Sequence, residues 1–254
     1  MNQTIDYYDK NANQFMNTTS NVNFESNQNH FLEKIPKGAH ILDFGCGSGR
    51  DTKYFLDKGY LVTAVDGSQE LCALASEFTG INVKQMLFQE LDDHGIYDGI
   101  WACASILHLP REELVAVLKK MCEALKKNGI IYTSFKYGEF EGDRNGRYFV
   151  DMTEDSFSKL MDSVPELVIE EQWISRKIWE RGREMAEYNT REKINMDSLL
   201  PKSDVVESGY LNSMLDNFSA SYKIYWFKGI FAEVMKGNSQ IPYRRIVARM
   251  IASA

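Results

Sequence analysis

The sequence predicts an α/β domain built on a mostly parallel, doubly wound sheet, and three observations carry that expectation. Short apolar runs alternate with stretches of helical spacing from Ala39 to Trp173; the first run ends on a glycine-rich turn, Gly45-Cys46-Gly47-Ser48-Gly49; and the second ends on an acid, Asp66. Alternation of strand and helix over such a length brings parallel strands together through right-handed crossovers, with helices on both faces.

The elements follow in order. Asp6 to Phe31 reads as polar helical segments broken by the Asn/Thr/Ser-rich stretch around Asn17 to Asn23, a candidate flap ahead of the first core strand. Ala39 to Phe44 is that strand, and Asp51 to Lys58 has the 3.6-residue spacing of a helix. Leu61 to Val65 is a strand, Glu70 to Phe78 a helix, and Asn82 to Phe88 and Tyr97 to Cys103 are strands. The helix Glu112 to Leu125 then runs through the turn Lys127-Asn128-Gly129 into the strand Ile130 to Phe135, and Glu154 to Met161 precedes a strand at Leu167 to Trp173. From about Asn195 the texture changes to a Pro201- and Ser/Asp/Glu-containing stretch and then to helical periodicity, so residues 1–194 are expected to form the main domain, with 1–37 as its N-terminal helical flap, and 195–254 a small helical appendage.

Composition narrows the function. The chain has 254 residues, 44% hydrophobic and 26% charged, ordinary for a soluble globular protein. A net charge of −7 opposes binding nucleic acid by bulk electrostatics, although a local basic patch is compatible with it. The four cysteines, Cys46, Cys72, Cys103 and Cys122, show no metal-ligand spacing and no disulfide framework, and no metal site is expected. The polar N-terminus and the lack of a run near the about 18 apolar residues of a membrane span predict a soluble, cytoplasmic protein.

The segment Ile41-Leu42-Asp43-Phe44-Gly45-Cys46-Gly47-Ser48-Gly49-Arg50-Asp51 carries the strongest chemical signal. In an open α/β sheet, ligands bind beyond the carboxyl ends of the strands, and the first strand-to-helix turn is where backbone approaches them closely. A dinucleotide fingerprint would need glycine at position 50, where the chain has Arg50, so a nicotinamide oxidoreductase is disfavoured. A glycine turn preceded by Asp43 suits a ligand with an ammonium and a carboxylate, the loop amides meeting the carboxylate and the acid lying near the ammonium. Asp66 stands 23 residues after Asp43, at the end of the second strand, where a carboxylate can accept both hydroxyls of a ribose. S-adenosylmethionine presents both kinds of group.

These residues resemble the class I S-adenosylmethionine-dependent methyltransferases, over about Tyr7 to Trp179. Leu42 to Gly49 looks like their first motif, Val65-Asp66-Gly67-Ser68 like the acidic second motif, Tyr97 to His108 like the fourth-strand motif, and Leu125 to Ile130 like the turn before the fifth strand. Gly49-Arg50-Asp51, Ser105-Ile106-Leu107-His108 and Ser134-Phe135-Lys136-Tyr137-Gly138 are similar to the tellurite-resistance-like small-molecule group. The resemblance implies a Rossmann-like, seven-stranded sheet with its last strand antiparallel, a hairpin of Leu167 to Trp173 with a partner near Lys177, and S-adenosylmethionine as cofactor. It places Phe88 and Gln89 beside the adenine, with Phe88 where an acid is common, and Ala104 at the end of the fourth strand among the cofactor contacts, together with Tyr8, Gly45, Cys46, Gly47, Gly49, Arg50, Asp66, Gly67 and Ser68. Tyr7 and Tyr8 match the family's N-terminal helix, where one hydroxyl reaches the cofactor carboxylate and the other packs.

Methyl transfer from a sulfonium is an in-line displacement with an activated donor, so positioning and removal of a proton are the tasks left to side chains. His108 is the candidate for base or substrate orientation; capping a turn before Leu109-Pro110 explains it as well. Cys103 is expected to pack in the core, because Ala102 stands where a cytosine C5 methyltransferase has proline, and Ala102-Cys103-Ala104-Ser105 lacks the pattern of exocyclic-amine methyltransferases. Lys136, Tyr137, Arg144 and Arg147 lie beyond the fifth strand and could hold an anionic acceptor; a solvated hairpin of mixed charge accounts for the same stretch. The expected activity is therefore methylation of a small, anionic or soft nucleophile. A regulatory or nucleic-acid-associated protein acting through residues 195–254 is the alternative, and the oligomeric state is open.

Overall fold

A computed structural model describes residues 3–177 and 183–192. Seven strands form one sheet: β1 (His40–Phe44), β2 (Leu61–Asp66), β3 (Lys84–Gln85), β4 (Tyr97–Ala102), β5 (Leu125–Lys136), β8 (Leu167–Lys177) and β9 (Arg183–Glu192), in the spatial order β3-β2-β1-β4-β5-β9-β8. The pairs β1–β2, β1–β4, β2–β3 and β4–β5 are parallel, whereas β9 runs antiparallel to both β5 and β8. A two-stranded hairpin, β6 (Glu141–Arg144) with β7 (Arg147–Val150), is set between β5 and the helix α6 (Glu154–Met161). Reversal of strand order between β1 and β4 opens a crevice at their carboxyl ends, the place where such sheets take ligands.

The helices α1 (Gln3–Thr19), α2 (Glu25–Leu32), α3 (Arg50–Asp57), α4 (Gln69–Thr79) and α5 (Arg111–Ala124) complete the domain. The sequence starts and stops them by local chemistry. Ser68 caps α4 by accepting the Leu71 N–H at 3.1 Å, and Gly80 ends that helix at φ +78°. Thr153 and Ser156 form a reciprocal capping box at the start of α6. In α5 the buried Leu114, Val117, Leu118 and Met121 fall on one helical stripe. That stripe packs with Phe157, Phe135 and Tyr188 on one face of the sheet, and Phe31, Phe55, Trp101 and Tyr132 fill the other, with Trp101 and Tyr132 stacked at 3.8 Å between centroids.

Three sequence expectations need correction. The third strand is two residues long, not Asn82 to Phe88, because it pairs only with Val65 and Asp66 before Phe88–Glu90 turns into a single 3₁₀ turn. The turn Lys127-Asn128-Gly129 lies inside β5: pairing moves from Tyr97↔Leu125 to Gly99↔Ile130, and the surplus residues bulge out with Asn128 at φ +66°. The hairpin partner of β8 begins at Arg183, beyond Lys177, and extends to Glu192. The expected appendage, 195–254, lies outside the described residues. Among the described residues no helix is long and apolar enough to cross a membrane.

Candidate active site

The glycine loop connects β1 to α3 and is bent by three glycines at positive φ, Gly45, Gly47 and Gly49. A Cβ on Gly45 would stand 2.5 Å from Ser105 Cβ, one on Gly47 2.9 Å from the Phe15 ring, and one on Gly49 2.7 Å from Thr79 Cγ2, so contacts as well as torsions demand glycine. The loop amides are largely committed: Gly45 and Cys46 donate to the Val65 carbonyl at 2.9 Å, and Gly49 to the Cys46 carbonyl at 3.0 Å. The Gly47 amide in turn donates to Asp66 at 2.8 Å.

Asp66 ends β2 facing this loop. Its carboxylate accepts the Gly47 amide at 2.8 Å and the Ser68 amide at 2.9 Å, while burial pushes its pKa upward against those two bonds. Asp43 sits beneath the loop: it is 2% exposed, accepts the Thr52 hydroxyl at 2.5 Å, and does not line the cavity. Burial and then the neighbouring Asp51 charge raise its pKa. Arg50 grips Asp51 through two bonds of 2.8 Å, and Asp51 also accepts Trp101 Nε1 at 2.9 Å and Gln28 Nε2 at 2.6 Å. Against the cost of burial, that guanidinium holds Asp51 below its usual range.

Loop, acid and fourth-strand end open onto one cavity. Of the residues singled out in the sequence, Tyr8, Gly45, Cys46, Gly47, Arg50, Asp66, Gly67, Ser68, Phe88, Gln89, Ala104, His108, Lys136 and Arg147 line it, and Asp43, Gly49, Tyr137 and Arg144 do not. Arg144 is turned to Asp151, 2.8 Å away, and stacks on Phe140, so it belongs to the fabric of the hairpin. Tyr137 is 39% exposed. Cys103, expected in the core, packs against it and also lines the cavity, with its sulfur 4.0 Å from an Arg50 nitrogen.

Part of the cavity lining is cationic and aromatic. Lys136 Nζ lies 4.1 Å above the centroid of Phe149, and the Arg147 guanidinium 5.0 Å from the same ring and 4.6 Å from Tyr7. His108, in the 3₁₀ turn Ile106–His108, meets the Tyr148 carbonyl through Nδ1 at 2.6 Å and the Tyr8 hydroxyl through Nε2 at 2.8 Å. Burial is the main cause that draws its pKa from 6.5 down to about 3, with Arg147 and Lys136 adding to the effect and the Tyr148 carbonyl opposing it. The residues that sequence reasoning missed here are Phe15, Phe149 and Met185, which come from α1, β7 and β9 and reach the cavity only through the fold. Asn145-Gly146, the turn that aims Arg147 inward, is a readable hairpin signal, with φ of +54° and +77°. Among the described residues no group of acids, histidines and cysteines could hold a metal ion.

Strand order, glycine loop and strand-end acid together define the class. Residues 41–129 match the family model described as a methyltransferase domain. The chain is 28% identical over 138 residues to an uncharacterized methyltransferase of Staphylococcus carnosus, covering 51% of this chain and 67% of the relative. It is 29% identical over 133 residues to methyltransferase YqeM of Bacillus subtilis, covering 48% and 52%. A solved structure of similar fold is that of Burkholderia thailandensis 1,6-didemethyltoxoflavin-N1-methyltransferase with bound 1,6-didemethyltoxoflavin and S-adenosylhomocysteine, at TM-score 0.55 and 22% identity over 66% of this chain and 76% of that one. Residues 41–129 thus carry a methyltransferase domain, in a fold shared with solved S-adenosylmethionine-dependent methyltransferases.

Proposed function

We propose that the protein moves a methyl group from S-adenosylmethionine to a small acceptor bearing an anionic group. The observation that carries the reading is the lining of one cavity, where the glycine loop and Asp66 occur together with Lys136 and Arg147. In this reading Asp66 takes the ribose hydroxyls, the loop Gly45–Gly49 leaves room for the amino-acid tail, and Phe88 and Gln89 flank the adenine. The acceptor's anion lies against Arg147, whose buried Nε has no hydrogen-bond partner and which no carboxylate among the described residues reaches. A guanidinium beside a cavity with a buried Nε left to donate favours a carboxylate, phosphate or comparable anion over a neutral ligand. Phe149 and Met185 supply apolar wall, which suits a compact planar or aliphatic body. The Burkholderia structure, which contains bound 1,6-didemethyltoxoflavin beside S-adenosylhomocysteine, supports a small acceptor.

The test is calorimetry with S-adenosylhomocysteine followed by transfer of labelled methyl to a panel of small acids and their neutral amides. Binding that Asp66→Ala weakens at least about tenfold, about 1.4 kcal/mol, and turnover on acids that Arg147→Met suppresses are expected. Equal turnover on acids and amides would overturn the anionic acceptor and leave the donor assignment standing.

A further inference from the structure

We propose that Tyr8 is the residue that takes the acceptor's proton, handing its own phenolic proton to His108. The inference rests on the cavity being the methyl-transfer site, as argued above. It starts from a tautomer. His108 Nδ1 lies 2.6 Å from the Tyr148 carbonyl oxygen, which can only accept, so Nδ1 carries the hydrogen. In a neutral imidazole Nε2 is then an acceptor, and the hydroxyl 2.8 Å away, that of Tyr8, is the donor. The Tyr8 oxygen in turn accepts from Arg147 Nη1 at 3.2 Å. Carbonyl, imidazole and hydroxyl form a line in which each group orients the next, the arrangement by which a buried base activates a hydroxyl in front of it.

His108 therefore works through Tyr8. Its Nε2 is already engaged, and the oxygen that the pair offers to the cavity is phenolic. Edge-on contacts with Phe15 and His108, at 5.3 and 5.5 Å between centroids, fix the Tyr8 ring. Of the carboxylates among the described lining residues, Asp51 is engaged by Arg50, Trp101 and Gln28, and Asp66 by two backbone amides and, in this reading, the ribose.

The step balances. The acceptor's lone pair forms the new bond to the methyl carbon as the sulfur–methyl bond breaks and leaves its electron pair on sulfur. The acceptor's N–H or O–H proton passes to the Tyr8 oxygen while the Tyr8 proton passes to His108 Nε2. One positive charge disappears from the sulfonium and one forms on the imidazole, where the Tyr148 carbonyl and the acceptor's anion must offset the burial, Arg147 and Lys136 that disfavour it. The site's net charge is unchanged, and an anionic acceptor offsets the nearby Lys136 and Arg147.

Nitrogen NMR of the His108 ring with S-adenosylhomocysteine bound tests the first half: the Nδ1–H tautomer is expected, with Tyr8→Phe shifting the Nε2 signal. An Nε2–H tautomer overturns the proposal. Single-turnover transfer to aromatic acids carrying an amine or hydroxyl nucleophile tests the second half. Tyr8→Phe and His108→Gln should each lower the transfer rate by about 100-fold or more, with the acceptor concentration for half-saturation within about twofold. A loss under about threefold, or turnover confined to nucleophiles with no proton to give, overturns it. If wild-type protein binds S-adenosylhomocysteine yet methylates nothing in the panel, the anionic-acceptor reading fails separately, and the tautomer decides the relay.

Discussion

Asp51 shows how one side chain can set a loop. Its carboxylate holds Arg50, Trp101 and Gln28 together directly beside Gly49, joining α3, β4 and α2 at the cavity edge. Removing one partner of a buried ion pair leaves the other charge stranded, at about 3–5 kcal/mol. Asp51→Ala should therefore lower the urea-unfolding free energy by that order, whereas Asp57→Ala, on the exposed end of α3 and paired among the described residues with Lys53 alone, should change it by under about 1 kcal/mol. Equal effects of the two would refute the account. At this scale the sequence was legible where chemistry forces a residue type: glycine is readable because a positive φ and a crowded Cβ admit little else. Asp51 was not, because an acid in the first turn of a helix has an ordinary explanation, and its partners Trp101 and Gln28 are 50 and 23 residues away.

Elements position the site as much as residues do. Helix α1 lies over the cavity and is tied to the start of α4 by Asp9, which accepts the Ser68 hydroxyl at 2.6 Å and the Glu70 amide at 3.3 Å. A hydrogen bond to a charged group contributes about 1.5–3 kcal/mol, so Asp9→Ala should speed release of S-adenosylhomocysteine by about tenfold or more in stopped-flow displacement, and lower the unfolding free energy by no more than that amount. An unchanged release rate would show that this tie does not hold α1 over the ligand. Legibility at this scale divides by periodicity. The helices α5 and α6 were readable because their buried residues follow the helical repeat. Strand β9 was not, since Glu187, Asn189 and Thr190 are fully buried inside the sheet while reading as surface residues. Glu187 is accommodated by Tyr132, Asn27 and Ser175, which no local pattern reveals. Strand β3 failed for the opposite reason, an apolar run whose residues serve the cavity wall at Phe88 and not the sheet.

Across the whole molecule the same burial that shapes the cavity makes stability depend on pH. His108 has a folded pKa of about 3 against 6.5 unfolded, so between those values the unfolded chain holds the extra proton. Its contribution is fully present above 6.5 and is lost as pH falls toward 3, at about 1.4 kcal/mol per pH unit within the window. Asp43 has the reverse sign: its folded pKa is raised, so its contribution is present in acid and declines as pH rises. The two slopes oppose each other over much of the same range, and the unfolding curve of the native protein alone conceals both. The difference between native protein and His108→Gln isolates one of them, because the Asp43 contribution is common to both. That difference should shrink steadily from pH 7 to pH 4.5 in urea titrations. A difference independent of pH would mean that the imidazole is charged or solvated in the folded state, and the cavity could not then be as closed beneath α1 as its geometry requires.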